Sequence, residues 1–177
     1  MKYLLFITML ITIGMMNAQT FNTDLPDDFT SITFQGDLFG SIDKEGLNSV
    51  ISFENVDWKI VESELQVQTI FNNDVVTKGW SLSYLDIQAG VGPMIPLSPR
   101  MTITPGIAVG VLFRPKKIFK PEGEGFQSFF IWGPKLKGRL WLGKTKKWGI
   151  VISGSYDKRK DNSNWQINGR AGLTRIL

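Results

Sequence analysis

The chain has 177 residues and a formal net charge of +4, and it contains neither cysteine nor histidine. Without histidine it lacks the commonest general base and a frequent zinc ligand, and without cysteine its fold cannot depend on disulfides. The modest charge, with no basic stripe of interleaved aromatic residues, argues against a nucleic-acid-binding protein.

The first residues have the organisation of a secretory signal peptide. Lys2 precedes an almost unbroken apolar run from Tyr3 to Met16, and Ala18 suits a cleavage position. The run of roughly 14 residues is shorter than the ~20 that a membrane-spanning helix needs. We therefore predict three segments: a signal peptide over residues 1–18, an N-terminal segment over 19–28, and one domain over 29–177.

The remaining chain alternates between apolar and polar residues with a period of two, which is typical of β-strands. No part of it has a sustained helical period. The runs, in chain order, are ITFQGDLFGSI, two strands between Leu47 and Phe71 with a tight turn near Trp58, SLSYLDIQAGVGPMI, MTITPGIAVGVLF, FIWGPKLKGRLWLG, WGIVISGSY and WQINGRAGLTRIL. The sequence predicts an all-β domain of eight antiparallel strands, closed into an up-and-down barrel without exposed edges.

The polar faces of these strands decide which side of the barrel would face water. A soluble barrel hides its apolar face, whereas a transmembrane barrel turns that face to lipid. The five acids on these polar faces lie in the first half of the chain and the four bases in the second, so closure would bring opposite charges together inside. We predict a lumen charge network, with a solvated outer face as the alternative. Its members are Asp37, Glu54, Glu62, Glu64, Asp86, Lys135, Lys137, Arg139 and Arg170.

Tryptophan placement and connection lengths also favour a membrane barrel. Five tryptophans near predicted strand ends would form an interfacial aromatic girdle, while Trp141 falls on the polar register and fits less well. The girdle residues are Trp58, Trp80, Trp132, Trp148 and Trp165. Short links such as KTKK and PLSPR alternate with longer ones such as DKRKDNSN, as expected for short periplasmic turns and longer extracellular loops. Pro93 and Pro105 flank PLSPR, and we expect irregular strands there.

The chain resembles the small outer-membrane β-barrel proteins, similar to the eight-stranded OmpA/OmpX-type transmembrane domain. The stretches YLDIQAGVGPMI and MTITPGIAVGVLF, joined by a short proline-containing turn, look like a hairpin of that group. The resemblance is one of pattern, without a diagnostic motif, and it departs at Leu177, where such proteins commonly end on an aromatic residue. It implies a location in the outer membrane of a double-membrane bacterium.

The expected role is that of a non-enzymatic scaffold with a largely plugged lumen and no cofactor or metal. Besides the bilayer, its partner would be lipopolysaccharide or an envelope protein, contacted through the longest loop. The candidate residues of that loop are Lys116, Lys117, Ile118, Phe119 and Lys120. A solvated loop is the plainer interpretation. The alternatives are a soluble lipocalin-like barrel binding an apolar ligand, a small-solute channel, and a membrane-embedded enzyme around Glu62 and Glu64.

Overall fold

The structure, a computed structural model, describes residues 25–39, 46–58, 60–72, 82–114, 127–159 and 165–177. These residues form the strands β1 (Phe29–Phe39), β2 (Gly46–Asp57), β3 (Val61–Asn72), β4 (Leu82–Pro93), β5 (Ile95–Ser98), β6 (Met101–Arg114), β7 (Gln127–Leu142), β8 (Trp148–Arg159) and β9 (Trp165–Ile176). Within the described ranges, no helix is long and apolar enough to cross a membrane. The prediction of an all-β fold is confirmed.

Eight of these strands, all except β5, close into an antiparallel barrel. Strands that follow one another in the chain pair with each other, and β9 pairs with β1 to complete the ring. In that seam Thr33 lies opposite Thr174. The backbone N–H of Leu177 donates to the carbonyl oxygen of Thr30 at 3.0 Å, so pairing extends to the last residue of the sequence. The predicted closed, eight-stranded, up-and-down barrel is confirmed.

The short strand β5 continues the line of β4 after an interruption at Met94. The ladder between β4 and β6 ends where Val91 lies opposite Ile107, and β5 then pairs with the first residues of β6. Pro93 and Pro105 both fall in the gap between these two ladders. Because proline has no N–H to donate, the ladder between β4 and β6 stops before these residues, although the β6–β7 ladder continues past Pro105. The predicted irregularity is therefore confirmed.

The barrel carries its apolar side chains outside and its polar ones inside. Ile152 is 59% exposed, whereas its neighbour Ser153 is 3% exposed. The same alternation exposes large apolar side chains on every barrel strand, among them Phe34, Phe53, Leu65, Val91, Ile107, Leu136, Ile152 and Leu173. An apolar belt of this kind is stable in hydrocarbon, and it is the reverse of what the lipocalin-like alternative requires.

An apolar cluster closes the lumen at one end of the barrel. This end, which we call the short-turn end, carries the β2–β3, β5–β6 and β7–β8 connections; the other is the long-loop end. The buried cluster consists of Leu25, Phe29, Val56, Met94 and Trp141. The rings of Phe29 and Trp141 meet edge to face, with centroids 5.8 Å apart. Trp141 therefore faces the lumen, as its polar register indicated, and we call the cluster the apolar plug.

Candidate functional site

The strand register brings three acids and three bases together directly above the apolar plug. On β2 and β3, Glu54 lies opposite Glu64, and Glu62 lies opposite Val56. From β7 the ion cluster receives the inward-facing Lys135, Lys137 and Arg139, all buried. We call these residues the ion cluster: Glu54, Glu62, Glu64, Lys135, Lys137 and Arg139.

Lys137 is the centre of the ion cluster. Its ammonium Nζ lies 2.9 Å from a carboxylate oxygen of Glu54, 2.8 Å from Glu62 and 2.9 Å from Glu64. Arg139 donates from both terminal nitrogens to the two oxygens of Glu62, at 2.6 and 2.8 Å. Lys135 donates to both oxygens of Glu64 at 2.8 Å. Equal numbers of acids and bases leave the ion cluster formally neutral.

Hydroxyl groups supply further donors to the ion cluster. Ser31 and Thr33 each donate to Glu54 at 2.7 Å, and Ser52 donates to it at 2.9 Å. Thr104 donates to Glu62 at 2.7 Å. A buried ion pair needs excellent geometry and additional hydrogen bonds to offset the cost of desolvation, and both conditions are met here.

Arg170 on β9 contacts side chains of β1 and β3 nearer the long-loop end of the lumen. Its Nε lies 3.5 Å from Oδ1 of Asp37 on β1, and it donates from Nη2 to Oε1 of Gln68 on β3 at 2.8 Å. These contacts, with the ion cluster, bring together eight of the nine residues proposed for the lumen charge network. The ninth, Asp86, also lies in the lumen but forms no ion pair with a described residue.

Asp157, like Asp86, lies in the lumen and forms no ion pair with a described residue. From its sequence, Asp157 is expected in the loop DKRKDNSN. That assignment is wrong, because β8 continues to Arg159 and buries Asp157 in the lumen. Gln88 donates to Asp86 at 2.6 Å, while Ser155 and Asn168 donate to Asp157 at 2.6 and 2.8 Å. Each carboxylate keeps one buried oxygen without a hydrogen-bond donor.

The sequence does indicate that Asp157 faces the lumen, because the alternation Ser153, Ser155, Asp157 continues the inward register of β8. With Asp157 included, the described lumen holds six acids and four bases. The surplus lies toward the long-loop end, whereas the ion cluster is balanced.

Aromatic residues lie on the outer surface toward both rims of the barrel. Toward the long-loop end Trp165 stacks on Tyr156 with centroids 4.6 Å apart and meets Trp132 at 5.2 Å. At the short-turn end Trp58 and Trp148 are 76% and 50% exposed. Trp80 and the loop candidates from Lys116 to Lys120 lie outside the described residues.

One small cavity lies beside the ion cluster in the described part of the lumen. A cavity of about 20 Å³ lies where Gly90 and Gly106 face Glu64 and Lys135. A cavity of this size holds about one water molecule. Among the described residues, no group of three or more histidine, cysteine, aspartate or glutamate side chains is arranged to hold a metal ion.

Solved structures show which known fold this barrel matches. No protein-family model and no curated protein matches the chain. Neisserial surface protein A aligns at 11% identity with a TM-score of 0.53, covering 85% of this chain and 97% of its own. Ail, the attachment invasion locus protein of Yersinia pestis, aligns at 9% identity with a TM-score of 0.52, covering 84% and 96%. This chain has the fold of the small eight-stranded outer-membrane β-barrels. The N-terminal barrel domain of Pseudomonas aeruginosa OprF aligns similarly, at 10% identity with a TM-score of 0.50, covering 85% and 98%.

In a barrel of this fold, the outer surface contacts the membrane and the inner surface lines the lumen. Its apolar belt faces lipid, and its ion cluster lies in the lumen that the strands enclose. The structural neighbours are bacterial outer-membrane proteins, which supports the same location for this chain.

Proposed function

We propose that the protein is a non-conducting, non-enzymatic outer-membrane scaffold that presents its long-loop end to a partner outside the cell. The observation that carries the proposal is the filled lumen. The apolar plug closes the short-turn end, and the ion cluster fills the section above it with side chains that are almost entirely buried. Eight-stranded barrels have interiors just wide enough for side chains, so an ion would have to displace paired groups to pass.

Conductance in planar bilayers tests the filled lumen directly. The purified barrel should give the same current as a protein-free bilayer, while a general porin in the same apparatus gives discrete steps. Insertion must be established independently, by protease protection of the reconstituted protein. Reproducible steps from the inserted wild-type barrel would contradict the proposal and favour the small-solute channel.

The non-enzymatic part of the proposal is supported by the contacts of Glu62 and Glu64. Lys137 binds both carboxylates, Arg139 binds Glu62 and Lys135 binds Glu64, so neither acid is free to exchange a proton with a substrate. Incubation with phospholipid and lipopolysaccharide vesicles, followed by mass spectrometry of the lipids, should show no product. A product that disappears in a Glu62→Gln, Glu64→Gln variant would establish an enzyme instead.

Lipopolysaccharide is the partner that we propose for the longest loop, because that loop carries three lysines around two apolar residues. Such a segment can pair with anionic phosphates while its apolar side chains contact acyl groups. Replacing Lys116, Lys117 and Lys120 with glutamate should weaken binding to lipopolysaccharide micelles at least tenfold. Matched reversals of the exposed turn residues Lys144 and Lys147 should not. Equal loss in both variants would count against the loop.

Export with cleavage near Ala18 belongs to the same proposal. The mature protein should begin at Gln19 when it is extracted from outer-membrane fractions and sequenced from its N-terminus. An intact N-terminus beginning at Met1 would contradict the predicted signal peptide.

A further inference from the structure

Three glycines interrupt the apolar belt on the outer surface of the barrel. In the register of β7 and β8, Gly138 lies opposite Ile152, and Gly154 lies opposite Leu136. On the next strand, Gly169 lies opposite Gly154. The glycines therefore occupy neighbouring positions on three adjacent strands, in a region where the flanking outward residues are large and apolar.

The packing of the barrel itself does not require glycine at two of these positions. A Cβ atom on Gly138 would meet only the carbonyl oxygen of Ile152 at 3.9 Å, and one on Gly154 would meet only that of Asn168 at 3.7 Å. Both distances are ordinary contacts. At Gly172, by contrast, a Cβ would lie 1.8 Å from the carbonyl oxygen of Phe34. Glycine within a strand costs roughly 0.5–1 kcal/mol relative to alanine, so these two positions need another explanation.

The missing side chains leave a groove of about 330 Å³ in the lipid-facing surface. Its apolar walls are formed by Leu38, Ile103, Leu136 and Ile152, which come from β1, β6, β7 and β8. The distance from β6 to β1 covers four inter-strand steps, or roughly 19 Å along the sheet. Spread over that span, a volume of about 330 Å³ gives a mean cross-section of roughly 17 Å², so the groove is long and narrow.

We propose that this groove binds one acyl chain of a membrane lipid. It is continuous with the apolar belt that faces the bilayer, so hydrocarbon chains are the groups that surround it. An extended chain fits a narrow apolar channel and gains dispersion contacts with the walls and with the glycine backbone. A protein partner would need an interface of at least about 1,000 Å², whereas the groove is a narrow channel across five strands.

Native mass spectrometry tests the proposal on the full chain reconstituted in nanodiscs of palmitoyl-oleoyl-phosphatidylglycerol. The filling variant is Gly138→Leu with Gly154→Leu, and the control is Ala89→Leu, which adds a branched apolar side chain at an outward position on β4, away from the groove. Wild type and control should retain one lipid after release from the nanodisc. The filling variant should reduce that retained fraction at least tenfold while still shifting mobility on boiling.

If the double variant does not fold, Gly154→Val provides a milder filling, because β-branched residues suit strands. Its readout is electron paramagnetic resonance of a spin-labelled phosphatidylglycerol, where the motionally restricted population should fall by about one lipid per barrel. Equal lipid retention, or equal restricted populations, in wild type and filled variants would overturn the proposal. A wild-type dimer that filling dissociates would overturn it too, because the groove would then be an interface between copies.

Discussion

Replacing Lys137 with methionine should strongly destabilise the barrel. Lys137 is 1% exposed, and its ammonium group lies within 2.9 Å of three carboxylates. Methionine has a similar length, so the change removes the charge with little loss of volume. Three buried carboxylates would then face only Lys135 and Arg139. Breaking a buried ion pair by removing one partner costs about 3–5 kcal/mol, or roughly a hundredfold to several thousandfold in the folding equilibrium.

The assay is urea unfolding of the protein in phospholipid vesicles, followed by tryptophan fluorescence. Lys144→Met, in the exposed β7–β8 turn, is the matched control and should stay within about 0.5 kcal/mol of wild type. If Lys137→Met unfolds at the same urea concentration as that control, the three ion pairs contribute no net stability, and the reasoning about the filled lumen is refuted.

Three further variants separate other features of the lumen. Asp86→Asn should leave stability unchanged or raise it in the same urea assay, because it removes a buried charge that has no ion pair with a described residue; a loss above about 1 kcal/mol would show that the charge is compensated. Gly172→Ala should abolish the heat-modifiable band in electrophoresis, since its Cβ would collide with Phe34 in the closing seam, whereas Gly154→Ala should keep the band. Trp141→Ala should lower the free energy of unfolding by about 3–5 kcal/mol through the cavity left in the apolar plug; a change under 1 kcal/mol would mean that the plug repacks.

The period of two was sufficient to predict the strands and their closure. A register in which every second residue is apolar fixes which side chains share a face, and one slip would move all of them to the opposite face. This is why Glu62 and Lys137 could be assigned to one surface from the sequence. They lie 75 positions apart in the chain, and the structure joins them by a hydrogen bond. The pairing within that surface depends on shear and on side-chain length, which the alternation does not contain.

The errors and omissions lie at strand ends. Asp157 looked like the start of a charged loop because lysine and arginine follow it directly, yet the β8 ladder continues past it. Charged residues are acceptable in a strand when their register turns them into a polar lumen, so composition alone misplaced the boundary. The contribution of Leu25 to the apolar plug was also missed, since no periodicity extends into that segment.

The most direct test of the inside-out arrangement uses the absence of cysteine from the chain. A single cysteine at Ile152 can carry a nitroxide label, and its collision rates with oxygen and with a water-soluble nickel complex can be compared in phospholipid vesicles. We expect oxygen, which concentrates in hydrocarbon, to relax the label far more effectively than nickel. Preferential relaxation by nickel would place Ile152 in water and contradict the assignment of the apolar face to lipid.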